Sequence, residues 1–186
     1  MSEVPPALLE ERRRLGLDLF DEMWEGVLHM NPPPLGDHQG LSSELFLVLG
    51  VVAKGCGLEP RMETGYYAAP DDWRVPDHAY ARAQHLIREG MSRAELVIEF
   101  RSPHHETYEK LPWYARHGAS EILVIHPPSR AVELYFVIDG RPELVHPGPE
   151  GAVQLKSLGD TRLETVTTPS GLRLRVTAPD GTTTDV

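Results

Sequence analysis

The sequence predicts a mixed α/β fold, an α+β arrangement of a mixed sheet with flanking helices and a β-rich C-terminal extension. Three observations carry that expectation. Leu41, Leu45, Val48 and Val52 recur at steps of four, three and four residues, one apolar stripe at the helical period. Two short apolar runs, Leu96-Val97-Ile98 and Ile122-Leu123-Val124-Ile125, have the pattern of strands covered on both faces. The tail, residues 142–186, is rich in Gly, Pro and Thr and reads as β hairpins.

In chain order, residues 5–20 predict a short helix or helix pair, interrupted at Gly16. Arg12-Arg13-Arg14 follow Glu10 and Glu11 and read as a solvated helix face. Residues 24–30 predict a turn and a short strand, stopped by Asn31-Pro32-Pro33-Pro34. The helix carrying the Leu41 stripe has Asp37 or Ser42 as its cap, and Gly55 and Gly57 mark its end. His38 and Glu44 fall on opposite borders of that stripe, each about 60° from Leu41 at about 100° per residue. Such a border suits the edge of a site or ordinary contact with solvent.

Residues 58–67 predict a strand, residues 68–74 a turn, and residues 75–81 a second strand with Asp77 near its start. The short link suggests an antiparallel hairpin. Residues 84–93 read as a loop or a single helical turn. Residues 94–100 form the first central strand, and Glu99 at its end is costly to bury unless paired or bound to a cation. The next helix starts between Thr107 and Glu109, because Pro112 is tolerated in or just after a first turn. Arg116-His117-Gly118 ends it.

Residues 122–125 are the second central strand, so residues 94–126 form a strand–helix–strand crossover with parallel strands. A strand over residues 131–138 is turned by Asp139-Gly140. Residues 154–156, 161–166 and 172–176 read as irregular hairpin strands before a frayed end.

A chain of 186 residues with 40% hydrophobic and 25% charged content suits one domain, residues 1–186, with a sizeable core. The net charge of −10 argues against a broadly basic nucleic-acid surface. Residues 74–117 are the least acidic part, with seven Lys/Arg against six Asp/Glu and five of the nine histidines. A single cysteine, Cys56, excludes an intramolecular disulfide. No window approaches the roughly 18 apolar residues of a membrane span, and no apolar run of signal-peptide length opens the chain. The expectation is a cytoplasmic protein with no membrane contact.

Asp77 and Glu99 on neighbouring strands would offer hard oxygen ligands to Mg²⁺ or Mn²⁺. Arg101, two residues after Glu99, shares its strand face and is suited to a phosphate oxygen. Lys110 begins the following helix and is placed to meet water or phosphate. By residue type alone Asp77 reads as a turn carboxylate, and Glu99 with Lys110 as a structural ion pair. His104-His105 beside Glu106 lack the partners of a zinc site and read as a solvated loop.

The ordered set Pro76-Asp77, Glu99-Phe100-Arg101-Ser102-Pro103, Glu106, Lys110-Leu111-Pro112-Trp113-Tyr114, Gly118 and Ile122-Leu123-Val124-Ile125 resembles the "putative restriction endonuclease" family of the PD-(D/E)XK nuclease superfamily. Glu25-Gly26-Val27-Leu28-His29-Met30, Pro32-Pro33-Pro34 and His38-Gln39 are similar to its N-terminal signature. The resemblance covers residues 18–138, a nuclease-like core, and leaves residues 139–186 as the β-rich C-terminal extension.

The resemblance implies a restriction-endonuclease-like fold and an endonuclease hydrolysing DNA phosphodiester bonds with Mg²⁺ or Mn²⁺. It implies Asp77 and Glu99 as metal ligands and Lys110 as the catalytic lysine. Arg101, Glu44 and His38 are the phosphate or supporting residues. Duplex or structured DNA is the expected partner and a homodimer the expected assembly. In the superfamily the lysine stands two residues after the glutamate; here Arg101 holds that position. The alternative is a non-catalytic or regulatory protein-binding module on the same fold, which the acidic balance and Arg101 favour.

Overall fold

A computed structural model describes residues 5–31, 36–101, 106–148 and 151–186, apart from the side chains of residues 36–38. The helix α1 (Pro6–Arg14) buries none of its side chains, and Gly16 at positive φ turns the chain away from it. β1 (Glu22–Trp24) and β2 (Val27–His29) then form an antiparallel hairpin. The sequence predicts only the second of these strands. Glu25 and Gly26 both take positive φ, the two-residue geometry that folds a strand back on itself.

α2 (Gly36–Gly55) buries Leu41, Leu45, Leu49 and Ala53, with Val48 and Val52 packed at the flank of that stripe. The helix starts before Ser42, so Ser42 is not its cap. It is buried, with its hydroxyl 2.8 Å from Nε2 of His78. Asp37, the other expected cap, lies in the first turn with its side chain outside the described residues.

The single strand expected over residues 58–67 is two, β3 (Glu59–Met62) and β4 (Tyr66–Ala69), in different sheets. Glu63 at positive φ ends the first extended run, and the Thr64 hydroxyl donates back to the Met62 carbonyl. β5 (Asp72–Arg74) stands where a turn was expected and pairs antiparallel with β4. β6 (His78–Ala81) pairs antiparallel with β3, as a hairpin reading requires, although the intervening β4–β5 pair belongs to the other sheet. A 3₁₀ turn (Ala83–His85) leads to the small hairpin β7 (Leu86–Ile87) and β8 (Gly90–Met91).

β9 (Leu96–Phe100) is buried along its whole length. α3 (Glu106–Arg116) follows, then β10 (Glu121–His126), parallel to β9 as the crossover predicts. α3 starts one residue earlier than expected, which puts Pro112 in its second turn. The ring there is exposed, so its bulk meets solvent while the missing N–H leaves one helical bond unmade. β11 (Ala131–Ile138) and β12 (Arg141–Leu144) are joined by Asp139 and Gly140, both at positive φ.

The extension carries β13 (Val153–Leu155), a 3₁₀ turn (Lys156–Leu158), β14 (Thr161–Thr168), β15 (Gly171–Thr177) and β16 (Thr183–Asp185). The expected frayed end is instead pinned. β16 pairs with β15, and buried Val186 exchanges two 2.9 Å backbone bonds with Leu174.

The central sheet runs β12-β11-β10-β9-β6-β3. One face packs on α2 and the β13–β16 sheet through Leu45, Leu49, Ile98, Leu123, Leu163 and Leu174. The opposite face meets α3 and the smaller β2-β1-β5-β4-β8-β7 sheet through Val97, Val124, Tyr66, Trp113 and Tyr114. Among the described residues no helix is long and apolar enough to cross a membrane.

Candidate active site

The β6–β9 register pairs His78 with Ile98, so one further step sets Asp77 level with Glu99 on the neighbouring strand. The Phe100 amide donates to Asp77 Oδ2 at 2.7 Å, which ties the Asp77 side chain to the end of β9. Parallel pairing sets Val124 beside Glu99, and antiparallel pairing sets Glu133 beside Val124. These side chains share the α3 face, because alternate residues of a strand face one way.

Lys110 reaches that face from the second turn of α3. Its ammonium donates to Glu22 Oε1 at 2.7 Å and to Glu99 Oε1 at 3.5 Å. The Tyr114 hydroxyl, one turn further along, donates to the same Glu99 oxygen at 2.6 Å. Glu99 Oε2 takes part in neither bond. Glu22, wholly buried on β1, also accepts the Val75 amide at 2.9 Å and the Trp24 indole N–H at 2.7 Å.

Burial pushes the Glu99 carboxyl up to about 8; Lys110 opposes that rise, and Asp77 and Glu22 add to it. Burial pulls Lys110 down, but Glu99 and Glu22 outweigh it and hold the ammonium above its ordinary range. Burial, then the Glu99 and Glu22 charges, push the Tyr114 hydroxyl well up, so it stays a donor. The centre is crowded with carboxylate and answered by one buried ammonium. Among the described residues no group of three or more His, Cys, Asp or Glu side chains is gathered to hold a metal ion.

A family model described as "Uma2: Putative restriction endonuclease" matches residues 17–176. The chain belongs to the Uma2 family. Its fold is nuclease-like. The crystal structure of a "putative nuclease belonging to DUF820" from Anabaena variabilis matches with a TM-score of 0.61 and 21% identity, over 74% of this chain and 82% of that one. A cryo-EM structure of a DrdV–DNA complex matches at a TM-score of 0.38 and 15% identity, over 58% of this chain and 10% of that one, too slight a likeness for a shared fold. No curated protein matches the sequence.

In this Uma2 chain Asp77, Glu99 and Lys110 stand at one end of β6, β9 and α3. Arg101 is close by, its backbone N–H on the Ile125 carbonyl at 2.8 Å and its guanidinium facing His126 Nδ1 at 3.3 Å. Glu44 is exposed on α2, away from this group. His38 lies in the first turn of α2 with its side chain outside the described residues, and His104 and His105 fall outside the described residues altogether. Glu22 and Tyr114 were not anticipated as site residues. The Glu25-Gly26 turn was the available signal for Glu22, since a hairpin there makes residues 22–24 a strand.

Proposed function

We propose that this Uma2 protein is a divalent-metal-dependent endonuclease acting on the phosphodiester bonds of duplex or structured DNA. The observation that carries the reading is the meeting of Asp77 and Glu99 from adjacent strands with Lys110 from α3. The donor set suits Mg²⁺ or Mn²⁺: hard carboxylate oxygens, few in number, leaving room for water and phosphate. Burial, with the Asp77 and Glu22 charges adding to it, holds the Glu99 proton to about 8, and a cation between Asp77 and Glu99 would favour the ionised carboxylate. When bound, the cation neutralises charge on the scissile phosphate and acidifies a bound water.

The chain's own residues hold the parts in place. Tyr114 and Lys110 both hold Glu99 Oε1, which orients the carboxylate through which Glu99 would hold the cation. The Phe100 amide does the same for Asp77. Glu99 and Glu22 together keep Lys110 charged and the Glu22 bond steadies it, so that the ammonium steers the attacking water or a phosphate oxygen. Arg101 contributes a fixed guanidinium for phosphate.

The closer bond of Lys110 to Glu22 than to Glu99 favours a second reading. There the triad is a buried ion-pair network and the protein is a binding module on a nuclease-like fold. The two readings separate by cleavage of plasmid and branched DNA with Mg²⁺ or Mn²⁺, beside Asp77→Ala and Lys110→Ala. Cleavage abolished in both variants supports the nuclease; cleavage unchanged in both sinks the site assignment. No cleavage at all, with no metal binding by calorimetry, supports the module.

A further inference from the structure

A second polar cluster lies beside the candidate site on the same sheet face, and no step above uses it. Glu133 on β11 accepts from three side chains. Nε2 of His126 lies 2.6 Å from its Oε1, the Tyr108 hydroxyl donates to that oxygen at 2.8 Å, and the Tyr135 hydroxyl donates to Oε2 at 2.7 Å. In the tautomer that gives Nε2–H to Glu133, Nδ1 is the ring nitrogen that accepts on the other side. That nitrogen faces Arg101 Nη1 at 3.3 Å. The same guanidinium sits 5.8 Å from the centre of the Tyr108 ring.

The elements explain the convergence. β9 and β10 are parallel and in register, so Arg101, just past β9, falls level with His126, the last residue of β10. Tyr108 comes from the first turn of α3, above them. Arg101 is two residues beyond Glu99, about 7 Å along a strand. An imidazole nitrogen that accepts from a guanidinium orients it without cancelling its charge, which a carboxylate in that place would do.

We propose that His126 and Glu133 are a positioning pair that presents Arg101 to a phosphodiester oxygen of a nucleic-acid strand next to the Asp77–Glu99 site. This rests on the nucleic-acid reading above and adds to it the residues that aim Arg101. Glu133 anchors His126, and His126 aims Arg101. Glu133 and His126 do not themselves touch the strand.

The test is anisotropy binding of a duplex oligonucleotide over a salt series, with Ca²⁺ in place of Mg²⁺. The proteins are wild type, Arg101→Ala, His126→Ala, their double variant and Glu133→Gln, each checked for folding by thermal melting. Arg101→Ala raises Kd roughly tenfold, the size of one lost charged hydrogen bond, and lowers the salt slope by about 0.9, one phosphate contact. His126→Ala raises Kd roughly threefold when Arg101 is present and leaves it unchanged on the Arg101→Ala background. Glu133→Gln matches His126→Ala, and decides the question if His126→Ala does not fold.

Equal losses in both backgrounds, or a lower melting temperature with Kd and slope unchanged, overturn the positioning role. Cleavage by wild type with Mg²⁺ is measured alongside. Binding without cleavage removes the nuclease reading while the double-variant cycle still decides on His126. A folded wild type that binds no nucleic acid at low salt overturns the positioning role as well.

Discussion

Lys110 donates a 2.7 Å hydrogen bond to Glu22, a residue 88 positions earlier in the chain. Both side chains are buried, so neither charge has water to fall back on. The bond fastens the β1–β2 hairpin to α3 and sets where the ammonium points. Glu22→Ala removes the closer acceptor of Lys110 and leaves the Val75 amide and the Trp24 indole without theirs, so it is expected to cost about 3–5 kcal/mol, the scale of breaking a buried pair. Urea unfolding at neutral pH measures it. A loss under about 1 kcal/mol, the level of an exposed pair, would show that Glu99 or water takes over the ammonium and that the Glu22 bond does not hold the hairpin.

Glu133 makes stability sensitive to acid. Burial pushes its carboxyl up, but the bonds from Tyr135, Tyr108 and His126 outweigh that and hold it below its ordinary 4.5. A carboxyl lowered in the folded state contributes stability that is complete above the unfolded value and is lost as pH falls through the folded one. Between neutral pH and pH 3 the melting temperature of Glu133→Gln should fall less than that of wild type. Parallel curves for the two proteins would refute the contribution.

Glu121 staples the extension to the core. Its buried carboxylate accepts the Lys156 amide at 2.7 Å, the Ser157 amide at 2.9 Å, and the Ser157 hydroxyl. Glu121→Ala leaves those donors without their acceptor and should cost about 3 kcal/mol, given about 1.5–3 for each charged bond and partial rescue by water. We propose that residues 1–186 unfold as one domain, so wild type and Glu121→Ala each show a single calorimetric transition. A separate early transition in wild type would assign the extension its own stability.

Gly90 is required by close approach. A Cβ there would sit 2.1 Å from the Gly65 carbonyl oxygen, which accepts the Met91 amide at 2.9 Å. Backbone on both sides leaves little room to yield, so Gly90→Ala should destabilise by about 2 kcal/mol or more. The expected signature is a lower urea midpoint, with Gly140→Ala as a control for glycine replacement where nothing lies within 4 Å. The control carries its own strain, because Gly140 has positive φ, and a loss at Gly90 no larger than that control would remove the clash argument.

Much of the site was legible because its parts are announced locally. The apolar run before Glu99 marks a central strand wherever it folds. Asp77 follows a proline at a strand start, and Lys110 lies in the second turn of a helix whose end is marked by Gly118. Their order along the chain was enough to indicate the family. The partners of those residues were not announced. Glu22 sits in a three-residue strand with no period to read, and residues 58–67 read as one strand because Glu63 gives no sign of positive φ. Nothing in Val186 foretells that it closes a sheet edge against Leu174.

The sequence by itself determined the mixed α/β class, the parallel crossover around α3, the family, and the three residues to watch. Hydrophobic period and ordered motifs are properties of neighbours along the chain, so they survive without coordinates. Tertiary structure alone decided which charge answers which. It gave Lys110 to Glu22 more closely than to Glu99, put Tyr114 on Glu99, and set His126 between Glu133 and Arg101. Those bonds join strands and a helix brought together by packing. Their strength depends on burial, which no single residue carries in its name.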